Sequence, residues 1–216
     1  MPREKLADKT ARARKVIHLL KKHYPSADCT LNFKTPHQLM VATILSAQCT
    51  DERVNRVTPG LFLKYRSVAD FAAVELDELA ADIRSTGFFN NKARSIKTSA
   101  QQLLEWYDGE IPQTLSELTK LTGVGRKTAS VILGAAFGLV EGIVVDTHVG
   151  RISRKLKFTV QKDAVKAERD LMKIIPKEDW IAFSHLLIFH GREICLARRP
   201  ACEWCFLSGL CPSATA

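Results

Sequence analysis

Apolar residues recur at helical spacing along almost the whole of this 216-residue chain. Residues three or four apart share one face of a helix, so the pattern predicts an amphipathic helix wherever it persists. Ile143–Val145 has the composition of a strand, but no partner strand is recognisable, so we interpret it as a buried extended connection and predict an all-α protein. The predicted helices run from Pro36 (with Thr35 as N-cap) to Ala47 and over about 9–23, 51–64, 75–84, 90–107, 114–120, 126–138, 147–156, 163–175 and 178–190.

The charge of the chain is positive and unevenly distributed. Lys and Arg number 32 against 23 Asp and Glu, which gives a net charge of +9 and an isoelectric point near 9.4. Residues 1–25 and 120–216 each carry six excess positive charges, whereas residues 26–119 carry three excess negative ones. This balance is typical of proteins that bind a polyanion such as nucleic acid, with ordinary solubilising charge as the alternative.

The sequence lacks the patterns of membrane insertion and secretion. The longest apolar run, Val131–Val140, is too short to cross a bilayer, and the N-terminus lacks the apolar core of a secretory signal. Hydrophobic residues (46%) and charged residues (25%) occur at the frequencies of a folded globular protein. We therefore expect a soluble intracellular protein without membrane contact.

A glycine turn separates two of the predicted helices. Gly123 and Gly125 allow a tight hairpin, and the amides that begin the next helix suit a phosphate. A Walker-type loop requires adjacent Gly and Lys, but Arg126 intervenes, and a dinucleotide fingerprint requires a third glycine where this chain has Thr128. The string Leu121–Ala129 instead resembles the helix-hairpin-helix DNA-binding motif, which contacts the DNA backbone without reading sequence. A plain turn without a ligand is the alternative.

Lys127 and Asp146 are the candidate catalytic residues. Lys127 lies in the first turn of the helix after the glycines, where the helix N-terminus and Arg126 favour a nucleophilic amine over a cationic one. A lysine that contacts phosphate is the alternative. Asp146 follows Ile143–Val145 at the start of a helix, where an N-cap contributes about 1 kcal/mol. The same carboxylate in a cleft accepts a proton or stabilises positive charge on a sugar, and the two roles are compatible.

Four cysteines are crowded into the last 22 residues. They are separated by six, two and five residues, and this places four thiolates in one short segment and predicts a metal centre. Zinc and a 4Fe–4S cluster both accept four cysteines, and the spacing does not decide between them. Closing the first interval around a metal exposes Arg198 and Arg199 for phosphate contact, with a solvated pair as the alternative. The predicted ligands are Cys195, Cys202, Cys205 and Cys211.

In their order and amino-acid sequence, these features resemble those of the endonuclease III family. Its members are bifunctional DNA glycosylase/AP lyases of the helix-hairpin-helix superfamily. The resemblance extends from Leu39 to Cys211 and includes the segments Leu45–Gln48 and Gly87–Ala93. It implies two helical lobes with a DNA-binding cleft between them. One is a six-helix lobe over residues 29–139 that contains the hairpin, and the other combines residues 1–28 and 140–216 and holds a 4Fe–4S cluster.

The resemblance also implies roles for residues of this sequence. Lys127 becomes the nucleophile, Asp146 its carboxylate partner across the cleft, and the four cysteines the cluster ligands. Gln48 fills the gap left by an extruded base and Phe88 enters the opposite strand. Without the resemblance, Gln48 is a polar helix end and Phe88 a core residue. The remaining predicted DNA contacts are Gly123, Val124, Gly125, Arg126, Thr128, His148, Arg198 and Arg199.

The activity implied by the resemblance is base excision repair. The protein is expected to act as a monomer on double-stranded DNA that contains damaged pyrimidines or abasic sites. It is expected to remove oxidised pyrimidines after base flipping and to cut the strand by β-elimination through a lysine Schiff base. Its expected location is the cytoplasm, in association with the nucleoid.

Three residues depart from the family pattern. Thr122 replaces a common proline, Cys49 replaces an alanine and Phe88 replaces a leucine. The change at Phe88 affects which lesion the protein is expected to prefer.

Other functions are alternatives to this one. A monofunctional adenine-DNA glycosylase is one of them, but that enzyme lacks the lysine and carries an extra domain. Relatives that act on thymine mismatches or photoproducts are further alternatives. A non-catalytic DNA-binding module with zinc leaves Lys127 and Asp146 without a role. Yellow-brown purified protein indicates iron–sulfur, and colourless protein indicates zinc or no metal.

Overall fold

The structure, a computed structural model, describes residues 4–214. Every regular element within these residues is helical, which confirms the predicted all-α class. Short 3-10 turns cover Arg84–Thr86, Lys177–Asp179, Cys202–Trp204 and Ser208–Leu210. The α-helices are α1 (Leu6–His23), α2 (Pro36–Leu45), α3 (Asp51–Lys64), α4 (Val68–Ala73), α5 (Leu76–Asp82), α6 (Phe89–Tyr107), α7 (Leu115–Leu118), α8 (Arg126–Phe137), α9 (Thr147–Lys155), α10 (Ala164–Met172) and α11 (Trp180–Glu193).

The chain divides into two compact units. The central unit is Cys29–Leu139, and the terminal unit combines the described residues of Met1–Asp28 and Val140–Ala216. Within the central unit, where the resemblance implies six helices, the structure has seven, α2 to α8. Of these, α7 is a single turn of four residues.

The core of the central unit is built around α2, of which seven residues in ten are buried. This helix contacts α3, α6 and α8, and α6 in turn contacts α4 and α5. Leu39, Met40, Ile96 and Ile132 are fully buried, and full burial of such a side chain stabilises the fold by about 1.5–3 kcal/mol. The continuous apolar surface of α2 is therefore what fixes the positions of the helices around it.

The terminal unit has its own core, in which α11 contacts both α1 and α9. Leu20, Phe183 and Leu187 are fully buried there. Gly191 permits the close approach of α9, because a Cβ at this position would lie 2.9 Å from Cδ1 of Ile152. In this unit α1 packs with the segment that contains the cysteines, and Arg12 donates to the carbonyl oxygen of Leu210 at 3.2 Å.

Helix ends follow local hydrogen bonding that the sequence only partly reveals. As predicted, Thr35 caps α2, its Oγ1 accepting the Gln38 N–H at 3.2 Å. The prediction that α2 reaches Ala47 is wrong, because the chain leaves the helix after Leu45 and turns. Helix α4 was not predicted at all, although Ser67 and Asp70 form a reciprocal capping box at its start.

The segment Ile143–Val145 connects α8 to α9 without forming a helix or pairing as a strand, as predicted from the sequence. Ile143 is 1% exposed and belongs to the core of the terminal unit, whereas Val144 and Val145 are half-buried. In the described part of the chain, no helix is long and apolar enough to cross a membrane.

Candidate functional site

The glycine turn forms a hairpin between α7 and α8 that α6 supports. Gly123 has a φ of +81°, and a Cβ there would lie 2.6 Å from Cβ of Ser95 on α6, so only glycine fits. The backbone N–H of Thr122 donates to Oε1 of Gln102, also on α6, at 2.8 Å. Two points of contact with one helix therefore fix the shape of the turn.

The hairpin exposes backbone and cations. Gly125 is the N-cap of α8 and has open space around it, and Arg126 and Lys127 follow in the first turn with exposed side chains. Thr128 is half-buried. The first N–H groups of a helix lack intrahelical acceptors and carry the positive end of the dipole. This surface therefore suits a phosphate, and it also presents an accessible amine.

The side chain of Val124 does not fit the DNA contact that is predicted for this residue. It is 4% exposed and belongs to the core of the central unit. The apolar residue between two glycines anchors the hairpin, so its side chain is not available for a DNA contact, and its N–H already donates to the carbonyl oxygen of Leu121 at 3.1 Å. The sequence alone does not separate this anchor from its exposed neighbours.

Gln48 and Phe88 occupy two exposed turns of the central unit. Gln48 has a φ of +54° and Phe88, the N-cap of α6, a φ of +48°. Left-handed backbone is uncommon at residues other than glycine, and it clusters at functional positions. Phe88 is 62% exposed, which is contrary to the alternative that it is a core residue. An exposed phenylalanine held in a strained turn suits insertion into a stack of bases.

Asp146 is held at the N-terminus of α9 in the terminal unit. Its Oδ1 accepts the backbone N–H of Val149 at 2.8 Å, as expected for an N-cap, and the residue is half-buried. His148 packs against α11, where a Cβ at Gly191 would lie 2.6 Å from its Nδ1. Burial lowers the pKa of His148, and the nearby Asp146 carboxylate opposes that shift. His148, a predicted DNA contact, is thus a half-buried ring near the Asp146 carboxylate.

The four clustered cysteines line one cavity in the terminal unit, together with apolar side chains that include Ile152, Leu156, Ile194 and Leu207. Burial raises the pKa of Cys195, although the nearby cations Arg151 and Lys155 oppose the shift, and the charges of Cys205 and Cys211 add to it. Burial is also the main cause of the raised pKa of Cys205. A cation in the cavity would lower the pKa values of these thiols, because it would stabilise thiolates that burial and mutual repulsion destabilise.

The residues around this cavity fit a four-thiolate group. Among the residues described, no three His, Cys, Asp or Glu side chains converge as ligands of a single ion. The cysteines instead surround a shared space, and an apolar surround limits water. Four thiolates that face one space fit either a zinc ion or a 4Fe–4S cluster.

Sequence reasoning did not identify His190, which is 2% exposed and lies beside this cavity. Its Nε2 is 3.6 Å from Sγ of Cys205, and its Nδ1 is 3.5 Å from the Tyr24 hydroxyl oxygen. A histidine among the apolar residues of a buried helix face gives no signal of such a contact. Beyond the cavity, Arg198 and Arg199 are both exposed, as the predicted phosphate contacts require.

Comparison with known proteins identifies one family. Residues 41–177 match the family model described as HhH-GPD superfamily base excision DNA repair protein. The chain is similar to a protein named Endonuclease III from Synechocystis sp., with 52% identity over 212 residues that cover 98% of this chain and 97% of that protein.

Two solved structures share the fold closely. One is described as "Structure of a non-covalent Endonuclease III-DNA Complex" and the other as "Structure of a Trapped Endonuclease III-DNA Covalent Intermediate: Estranged-Adenine Complex". Each aligns with a TM-score of 0.89 and 47% identity over 95% of this chain and 96% of its own. These similarities extend well beyond the matched family region and include both the hairpin and the cysteine segment.

Proposed function

This chain belongs to the HhH-GPD superfamily of base excision DNA repair proteins and is a DNA glycosylase with AP lyase activity, and we propose that Lys127 is its nucleophile. The observation that carries this proposal is an exposed amine in the first turn of α8, directly after the glycine hairpin. A covalent enzyme–DNA intermediate in a close structural relative supports a mechanism through an amine. The substrate is double-stranded DNA that contains a damaged pyrimidine or an abasic site.

The proposed reaction begins with extrusion of the damaged base, at a cost of a few kcal/mol. The neutral Lys127 amine forms a bond to C1′ of the sugar, while the N-glycosidic bond breaks and its electron pair leaves with the base. Opening of the sugar ring gives a Schiff base between Nζ and C1′. Loss of a proton from C2′ then breaks the bond between C3′ and the phosphate oxygen, which cuts the strand on the 3′ side of the lesion.

Asp146 is proposed as the carboxylate partner of Lys127. It accepts a proton as the amine becomes a nucleophile, and its charge stabilises the oxocarbenium-like sugar. The N-cap bond to Val149 supports this role, because it fixes one carboxylate oxygen at 2.8 Å and leaves the second without that constraint. The carboxylate is therefore oriented before the substrate arrives.

The other predicted DNA contacts are proposed to orient the duplex. Gln48 occupies the space left by the extruded base, and Phe88 enters the opposite strand. The amides of Gly123 and Gly125 contact phosphate with the charge of Arg126, and Val124 supports them as the buried anchor of the hairpin. We assign the same backbone-contacting role to Thr128, His148, Arg198 and Arg199.

The four cysteines are proposed to hold a 4Fe–4S cluster. The shared cavity that they line, with its apolar surround, supports a four-thiolate metal group, and the similarity to Endonuclease III supports a cluster as its occupant. When bound, such a cluster would cross-link a loop-rich segment and would add redox sensitivity. Cys195 and Cys202 would then hold between them the loop that presents Arg198 and Arg199. The protein is proposed to act as a monomer on nucleoid DNA in the cytoplasm.

Borohydride reduction tests the nucleophile. It converts a Schiff base into a stable amine, so the wild-type protein is expected to become cross-linked to DNA that contains an abasic site. Lys127→Ala is expected to form no cross-link. Lys120→Ala is the matched control, because Lys120 is exposed in the same hairpin and is expected to be dispensable for trapping. Cross-linking by Lys127→Ala at the wild-type level would remove Lys127 from this role.

A further inference from the structure

Lys92 is a buried cation to which the reaction above gives no role. It is the fourth residue of α6 and is 5% exposed, although lysine is among the residues least often buried. Its Nζ donates to the carbonyl oxygens of Leu45 and Thr86, each at 2.8 Å. Burial lowers the pKa of Lys92, and negative charge on Cys49 opposes that shift. The two carbonyls replace the water that the ammonium group loses on burial.

Both acceptors end an element that leads into one of the strained turns. Leu45 is the last residue of α2, and Gln48 follows it with a φ of +54°. Thr86 ends a 3-10 turn, and Phe88 follows it with a φ of +48°. Left-handed backbone outside glycine persists only where surrounding contacts determine it. The Lys92 ammonium is such a contact for both turns at once.

We propose that Lys92 is a positioning residue that fixes the Gln48 turn relative to the Phe88 turn, and so sets the geometry with which these side chains enter DNA. The proposal rests on the roles given to Gln48 and Phe88 under the proposed function. The two carbonyls belong to segments that are distant in sequence, and a single ammonium group joins them. Lys92 acts through these turns and does not contact the reacting atoms.

Two substrates separate positioning from chemistry. The first is a duplex that contains thymine glycol, which requires extrusion of the base and entry of both side chains. The second is a single strand with a preformed abasic site, which contains neither a damaged base to extrude nor an opposite strand to penetrate. A positioning residue affects the first substrate selectively, whereas a loss of folded protein affects both equally.

The test compares Lys92→Met with Lys97→Met. Lys97 is a matched control because it lies on the same helix, is half-buried and donates from Nζ to a backbone carbonyl, that of Val74, at 2.7 Å. That carbonyl adjoins neither strained turn. Lys92→Gln is a milder variant, because its amide keeps two N–H donors on one nitrogen.

Single-turnover rates give the expected result. Lys92→Met slows base release from the duplex at least about tenfold and changes cleavage of the abasic single strand by no more than about twofold, because it misplaces the turns and leaves the nucleophile intact. Lys92→Gln falls between this variant and wild type. Lys97→Met changes the ratio of the two rates by no more than about twofold.

The proposal is overturned when Lys92→Met slows both substrates equally, or neither, at a temperature where thermal melting shows the protein to be folded. Where Lys92→Met does not fold, the same comparison with Lys92→Gln decides, and an unchanged ratio of rates rejects the proposal. Failure of the proposed function has a different signature, which is a wild-type protein that cuts neither substrate or a Lys127→Ala variant that still cuts both.

Discussion

At the start of α9, a single carboxylate serves the fold and, in our proposal, the reaction. Oδ1 of Asp146 accepts the Val149 N–H at 2.8 Å, which satisfies one of the donors that a helix N-terminus leaves unpaired. An asparagine provides the same acceptor without a charge. The two roles of this residue are therefore separable by substitution.

Asp146→Asn is expected to retain stability and lose activity. The cap remains, so the melting temperature stays close to that of wild type, while loss of the charge slows base release about 100-fold or more. Asp146→Ala loses the cap as well, at about 1 kcal/mol of unfolding free energy. Urea titration and single-turnover kinetics measure both quantities. Full activity of the folded Asp146→Asn variant contradicts the proposed role of the charge.

His37 makes the stability of the protein dependent on pH. It lies in the first turn of α2, 9% exposed, with its ring centroid 5.2 Å from that of Phe71. Burial lowers its pKa to about 4 from an ordinary value of 6.5. Between these values the unfolded chain binds a proton that the folded chain does not. The contribution of His37 is therefore complete above pH 6.5 and is lost progressively as the pH falls towards 4.

The expected loss from this residue is about 3 kcal/mol of unfolding free energy across that interval. Urea titrations at several pH values measure it. His37→Leu is expected to reduce the pH dependence by this amount, while His148, His185 and His190, whose pKa values burial also lowers, maintain the rest. His18→Leu is the control, because His18 is exposed on α1. Parallel pH profiles for wild type and His37→Leu would show that burial of this ring has no such effect.

At the scale of elements, the hairpin between α7 and α8 depends on one glycine for its shape. Gly123→Ala is expected to lower the unfolding free energy by about 2 kcal/mol or more, because φ is +81° and the added Cβ meets Ser95. Gly125 has a φ of −83° and open space around it, so Gly125→Ala is expected to lower the unfolding free energy by about 0.5 kcal/mol. Urea unfolding compares the two variants. Equal costs would show that the packing against α6 does not restrict position 123.

Helices with a long apolar face were predictable from the sequence, and so were the short helices α5 and α7, but α4 was not. Helix α3 has the predicted bounds of 51 and 64 because Thr50 caps it and its apolar face is continuous. The six residues of α4 are too few to establish a period, so only the Ser67 capping box marks it. Lys92 precedes the buried Ile96 by four residues and therefore lies on the buried face of α6. Helical spacing thus indicates that Lys92 is buried, whereas the polarity of lysine alone predicts an exposed side chain.

The candidate site was predictable to the extent that its chemistry is local. The cap at Asp146, the turn at Gly123 and the cysteine spacing each depend on residues near one another in sequence. The contact between Lys92 and Leu45, or between His190 and Cys205, joins positions that pattern alone does not relate. Tertiary contacts of this kind fix the positions of the local motifs, and only the three-dimensional structure reveals them.

At the scale of the whole molecule, the positive charge belongs mainly to one unit. By sequence, the terminal unit carries twenty basic and twelve acidic residues, and the central unit twelve and eleven. The two basic ends of the chain thus form part of one folded unit. Because phosphate contacts release condensed counterions, affinity for undamaged DNA is expected to fall steeply as salt increases.

The paired variant Arg198→Ala/Arg199→Ala is expected to reduce the slope of log K against log [salt] by about 2, because each phosphate contact contributes about 0.9. The control Arg56→Ala/Lys64→Ala lowers the net charge equally in the central unit, but it removes cations already paired with Glu52, Glu78 and Asp82. Its slope is expected to match that of wild type. Fluorescence anisotropy with an undamaged duplex measures all three. If both double variants reduce the slope equally, net charge governs binding and the two arginines beside the cysteine cavity are not specific phosphate contacts.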